Sequence, residues 1–197
     1  MKKIIFVTLA FFALQGCSSE TSTKKNVTLE TIKPVEKTQI HTETEPNKKD
    51  DLKSNYILLK DVNGEKIKLI PKESGFTFVN YENKIVILNF FATWCPPCNA
   101  EIPHLNNLQE KYKDDVKIIS ILLEDNKSDE EIKKFINRNQ INYTITNSPA
   151  NFEVAKEIGG VRSIPFMLIY DRNGDYSQHY MGAVPEEMIE VDIKRVL

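Results

Sequence analysis

The sequence predicts an α/β fold in which a central mixed β-sheet is flanked by helices and preceded by an N-terminal β-hairpin. Three observations predict it. The run Ile85-Val86-Ile87-Leu88-Asn89-Phe90-Phe91 is almost continuously apolar, as a strand buried on both faces must be. Strand-like and helix-like segments alternate through the middle of the chain, which asks for parallel strands joined by crossovers. Asp171-Arg172-Asn173-Gly174 then separates two strand-like segments near the C-terminus, adding an antiparallel hairpin to the same sheet.

The elements follow in order. Residues 56–59 and 66–70 flank Asn63-Gly64, a turn pair that favours a hairpin, and 76–79 has the composition of a further strand. After the buried strand at 85–91 a helix is expected over 96–112, then a second buried strand at 116–123. Ser128-Asp129-Glu130-Glu131 has the capping-box form and starts a helix that runs to Asn139. Residues 141–146 read as a short extended piece. Ser148-Pro149 opens a helix that Gly159-Gly160 closes. Residues 166–170 and 177–181 form the closing hairpin. Pro185 begins a C-terminal helix with Met188, Ile189, Val191, Ile193 and Val196 at its apolar positions.

The first 54 residues read differently. Met1-Lys2-Lys3 leads into a run of about 11 mostly apolar residues and then Gln15-Gly16-Cys17, the pattern of an export signal. The run is shorter than the roughly 20 apolar residues of a membrane span. Leu14-Gln15-Gly16-Cys17 resembles a bacterial lipobox, in which the cysteine is lipidated and becomes the mature N-terminus. Gln15 departs from the usual pattern, so plain cleavage and a retained anchor are the alternatives. Residues 1–16 are thus assigned as a lipoprotein signal peptide and Cys17 as the lipidation site. Residues 17–54 are rich in Lys, Glu and Thr, show no recurring apolar face, and read as a flexible polar tether. Extended, such a tether spans on the order of 100 Å. It leaves 55–197 as one folded domain.

Trp94-Cys95-Pro96-Pro97-Cys98 follows the first buried strand directly. Two residues between cysteines on a helical turn bring both sulfurs within bonding reach. The helix N-terminus stabilises whichever sulfur carries negative charge. The chain has three cysteines, and if Cys17 carries lipid the other two have only each other to pair with. Outside the cytoplasm such a pair can cycle between dithiol and disulfide. An inert disulfide and half of a zinc site are the alternatives. Zinc asks for four ligands, and only His41, His104 and His179 could join the sulfurs, with His41 in the tether. No metal and no organic cofactor is expected. The net charge of −2 and the absence of a basic stripe give no reason to expect nucleic acid.

From about residue 56 to the end, the sequence resembles the thioredoxin superfamily, and within it the exported, membrane-tethered TlpA/ResA-type oxidoreductases. Leu88-Asn89-Phe90-Phe91-Ala92-Thr93-Trp94-Cys95-Pro96-Pro97-Cys98 is similar to the active-site segment of that branch. Gly160-Val161-Arg162-Ser163-Ile164-Pro165 is similar to the superfamily's loop bearing a cis proline. The resemblance implies a thioredoxin fold, a cis Ile164–Pro165 bond facing the cysteines, and a backbone at Ile164 that pairs with an extended substrate chain. It implies an acidic residue beside the inner thiol at the position of Glu101. Asn89 takes the place of the buried acid of cytoplasmic thioredoxin, and Phe166 departs from the threonine usual after the proline.

Cys95, at the exposed N-terminus of the helix, is the expected nucleophile, and Cys98, one turn in, the resolving thiol. Glu101 lies on the same helical face as Cys98 and is the candidate proton acceptor; a solvated carboxylate is the alternative. Pro96 and Pro97 fit the first helical turn and remove two N–H donors from around a Cys95 thiolate, which leans the couple toward giving electrons away. Trp94, the only tryptophan, is expected to shield the disulfide and touch partners, with core packing as the alternative. Asn89 reads as a buried amide with its hydrogen bonds satisfied. His104 reads as a surface residue, with pairing to Glu101 as the alternative.

These readings predict a lipid-anchored enzyme, facing the periplasm or the outer side of the cytoplasmic membrane, that reduces disulfides of exported proteins. The resemblance implies apocytochrome c cysteines or a copper-site assembly protein as clients and a membrane electron-donor protein that recharges the pair. The rivals are an oxidase or isomerase of the same fold and a Cu(I) metallochaperone.

Overall fold

The structure is a computed structural model that describes residues 55–197. The proposed signal, Cys17 and the tether lie outside the described residues. β4 (Ile85–Phe91) has all its side chains buried, because it is central in the sheet and covered on both faces. It pairs in parallel with β5 (Val116–Leu122) and antiparallel with β7 (Phe166–Tyr170). β6 (Thr144–Thr146) flanks β5 and β8 (Tyr176–Met181) flanks β7, giving the order β6-β5-β4-β7-β8. The expected mixed sheet is therefore present.

Among the described residues three helices connect these strands, α1 (Pro96–Lys111), α2 (Asp129–Asn139) and α3 (Ala150–Glu157), and α4 (Glu186–Val196) follows β8. α1, α2 and α4 cover one face, where Ile87, Leu105, Leu108, Phe135, Ile189 and Ile193 share a core. On the other face Val86, Leu88 and Phe90 pack against α3 and an N-terminal sheet. The capping box of α2 forms as expected, with Ser128 Oγ accepting the Glu131 N–H and the Glu131 carboxylate accepting the Ser128 N–H.

The N-terminal hairpin is larger than two strands. β1 (Ile57–Lys60), β2 (Lys66–Lys72) and β3 (Gly75–Phe78) form a three-stranded antiparallel sheet. Its tip is tied to the β7–β8 turn, where the Phe76 N–H donates to Gly174 O at 3.0 Å. Gly174 allows this approach twice over. Its φ is +76°, and a Cβ there would stand 1.9 Å from Phe76 O.

Candidate active site

Cys95 is the N-cap of α1, and its Sγ accepts the Cys98 N–H at 3.3 Å. Pro96 and Pro97 fill the next two positions, where a missing N–H breaks no helical bond. The turn brings the cysteine Cα atoms to 5.3 Å, and Cys95 and Cys98 are joined as a disulfide. The exposure expected of Cys95 is not found. Cys95 is at the helix end but is not exposed: it and Cys98 are each 3% exposed. Both sulfurs turn toward the core that includes Phe91, Ala92 and Ile102, and the outer surface of the turn belongs to Trp94, Pro96 and Pro97. Trp94 is 67% exposed, so core packing is not its role.

The residues before Cys95 are held by groups that sequence reading did not single out. Glu124 Oε2, just past the end of β5, accepts both the Thr93 N–H at 3.0 Å and the Thr93 hydroxyl at 2.7 Å. Asn99 Nδ2 donates to Thr93 O at 3.1 Å, and the Cys95 N–H donates to Ala92 O. The signal for Glu124 was its place beyond the carboxyl end of a strand parallel to β4, where sites of open α/β sheets gather.

Behind the disulfide lies a buried polar group. Glu101 is 1% exposed, so the reading as a solvated carboxylate fails. Its Oε1 accepts the Val184 N–H at 3.0 Å, while its Oε2 is buried without a partner. Burial pushes the Glu101 carboxyl up to about 7, against the opposing pull of the Val184 hydrogen bond and His104. His104 itself reaches Glu186, at 3.5 Å. Asn89 is buried as expected but only partly satisfied: Nδ2 donates to Ser120 Oγ at 3.3 Å, and Oδ1 has no partner. Tyr143 stands near the same group, its phenol pushed up chiefly by burial, with the Glu101 charge adding to the shift.

The Ile164–Pro165 bond is cis. Pro165 is buried and its carbonyl accepts the Gly182 N–H at 2.8 Å, while half-buried Ile164 packs against both cores. Phe166 turns its ring toward Phe90 and His179, on the face away from α1. Among the described residues no group of three or more His, Cys, Asp or Glu side chains converges to hold a metal.

Chemically, the arrangement sets a cysteine pair at a helix N-terminus one turn before a buried carboxyl that can carry a proton near neutral pH. Residues 66–191 match the model of the AhpC/TSA family. The chain is 30% identical over 145 residues to a thiol-disulfide oxidoreductase, ResA, of Bacillus anthracis, covering 72% of this chain and 75% of that one. Among solved structures it is similar to StoA of Bacillus subtilis, with a TM-score of 0.55 and 22% identity over 70% of this chain and 95% of that one. It is also similar to the exposed lipoprotein thioredoxin Etrx1 of Streptococcus pneumoniae, with a TM-score of 0.56 and 21% identity over 71% of this chain and 98% of that one.

Proposed function

The chain belongs to the AhpC/TSA family and is a thiol:disulfide oxidoreductase of thioredoxin-like fold, and on that footing we propose that it is a reductant, passing electrons from a Cys95–Cys98 dithiol to disulfides of exported proteins. The observation that carries this direction is the make-up of the first turn of α1. Cys95 Sγ receives one backbone N–H, from Cys98, because Pro96 and Pro97 have none to give. The side chain is also withdrawn from water. A thiolate there is weakly supported, so the dithiol holds its electrons loosely.

In this reading the Cys95 thiolate attacks one sulfur of a client disulfide, and the other client sulfur leaves as a thiolate. Cys98 then attacks the Cys95 sulfur of the mixed disulfide, and the second client sulfur leaves. Two electrons have passed to the client, and the product is the Cys95–Cys98 disulfide of the structure. Glu101, one turn beyond Cys98, takes the proton that Cys98 sheds before it attacks, a task suited to a carboxyl near 7. Exposed Trp94, Pro96 and Pro97 and the backbone of Ile164 form the contact surface for the client chain.

Export and anchoring through lipid at Cys17 are supported by the Leu14-Gln15-Gly16-Cys17 pattern and by likeness to a protein described as an exposed lipoprotein. Among the described residues no helix is long and apolar enough to cross a membrane. A membrane electron-donor protein recharges the spent disulfide. Apocytochrome c cysteines and copper-site assembly proteins are the clients that the resemblance favours.

Replacing Cys98 by Ser leaves Cys95 unable to release its client. Cells carrying that variant are expected to accumulate mixed disulfides between Cys95 and exported proteins, absent when Cys95 is also Ser. In cells lacking the protein, the trapped clients are expected to pile up as disulfides; their accumulation as free thiols contradicts the reading.

A further inference from the structure

β8 closes the five-stranded sheet on one side; its first residue, Tyr176, donates its N–H to Ser74 O at 2.7 Å beside the Gly75–Asp175 bridge, and from Ser177 to Met181 no other described strand pairs along its outer edge. The hydrogen bond from Gly182 N–H to Pro165 O sets the phase of its ladder with β7. Tyr180 and Gln178 therefore bond inward, while Met181 and His179, opposite Phe166 and Leu168, turn their backbone groups outward. Gln178 Oε1 covers the outward His179 N–H at 3.0 Å, a local contact that an incoming chain can displace.

Edge strands are normally guarded by charge, proline or a bulge. Here no Asp, Glu, Lys or Arg occurs from Tyr176 to Val184. The ladder's one irregularity lies at Ile169/Tyr170, the end away from the redox site. Both flanks of the edge offer apolar surface. On one lies a cleft of about 650 Å3 whose apolar lining includes Phe76, Phe166 and Leu168 and whose charged lining is Lys72, Glu73 and Glu157. On the other, Tyr180 borders a groove that joins Met188 and Val191, 48% and 58% exposed, with the charged Glu187, Asp192 and Arg195. An added strand points successive side chains to opposite faces, one set toward each surface.

The same edge leads into the redox site. Beyond Met181, the next residue bonds to Pro165, and Val184 bonds to Glu101 behind the disulfide. We infer that β8 is a docking edge for the client polypeptide, which adds as an extended, uncharged strand with apolar residues at alternate positions and is thereby aligned with its disulfide toward Cys95. This rests on the proposed reduction of polypeptide disulfides.

The test uses the full-length reduced protein and 12-residue peptides of alternating Val and Ser, each carrying a terminal cysteine as its thionitrobenzoate mixed disulfide. Glutathione disulfide is the reference substrate. Lengthening the peptide from four to 12 residues is expected to raise the second-order rate constant for its single-turnover reduction by the Cys95–Cys98 dithiol at least tenfold. N-methylation of alternate residues more than four positions from the cysteine is expected to cancel that gain in one register and spare it in the other. Met181→Lys is expected to lower the peptide-to-glutathione ratio about tenfold. Reduction of glutathione disulfide with no effect of length or N-methylation overturns the docking edge alone. Failure to reduce either substrate overturns the proposed function and the edge with it. A wild-type dimer that Met181→Lys dissociates assigns the edge to a second copy and also overturns it.

Discussion

Glu101 Oε1 accepts the Val184 N–H at 3.0 Å, and the second oxygen of the same buried carboxyl has no partner. The helix that carries the cysteines is thus joined to the loop after β8 through a group that loses stability when it ionises.

The pH dependence follows. An unfolded Glu titrates near 4.3, whereas the folded Glu101 carboxyl titrates at about 7. Between those values the folded protein keeps a proton that the unfolded chain has lost. The stabilising contribution is complete below about pH 4, shrinks as pH rises, and is gone above about pH 7. Glu101→Gln keeps an acceptor for Val184 without a charge. It is expected to remove that slope and to be more stable than wild type at pH 8 by about 1–3 kcal/mol. Thermal unfolding from pH 4 to 8.5 checks it.

The same substitution should separate stability from chemistry. With no carboxyl to take the Cys98 proton, release of a client from its mixed disulfide with Cys95 should slow by about a hundredfold at pH 7. Stopped-flow release of a chromogenic thiol measures it. An unchanged rate would remove Glu101 from the mechanism.

Pro97→Ala restores an N–H at the helical position whose donor normally reaches the N-cap side chain. One added charge-assisted hydrogen bond should lower the Cys95 thiol pKa by about one unit and, at pH 9, raise the reduction potential of the couple by about 30 mV. Thiolate absorbance at 240 nm, titrated in the reduced protein, reads the first effect.

Glu124→Ala removes the acceptor of both the Thr93 N–H and the Thr93 hydroxyl. Leaving those partly buried donors without a partner is expected to cost about 2 kcal/mol of stability. Denaturant unfolding checks the magnitude, and a cost near zero would mean that Glu124 does not brace the loop.

The particular elements that were legible in the sequence share a local cause. β4 was read residue for residue because an almost continuous apolar run that starts after Lys84 and leads into Trp94-Cys95-Pro96-Pro97-Cys98 admits few alternatives, and the start of α2 because Ser128 and Glu131 cap within one turn. β6 was less well bounded: only Thr144–Thr146 is strand, set by pairing with Ile119–Ile121 and not by any pattern of its own. The redox pair and the cis proline were legible as motifs, and the resemblance pointed to Glu101. What held these residues was not legible. Glu124 reaches Thr93 across 31 positions and Val184 reaches Glu101 across 83, contacts created only when the sheet assembles. The burial of Cys95 has the same origin, since the core beneath it is built from distant strands.

The central claim is that this couple gives electrons away, and its reduction potential tests that most directly. Equilibrating the full-length protein with a glutathione or dithiothreitol buffer at pH 7 should place the Cys95–Cys98 couple near thioredoxin, at about −270 mV. A value near −120 mV would mark a disulfide-forming oxidant and contradict the account.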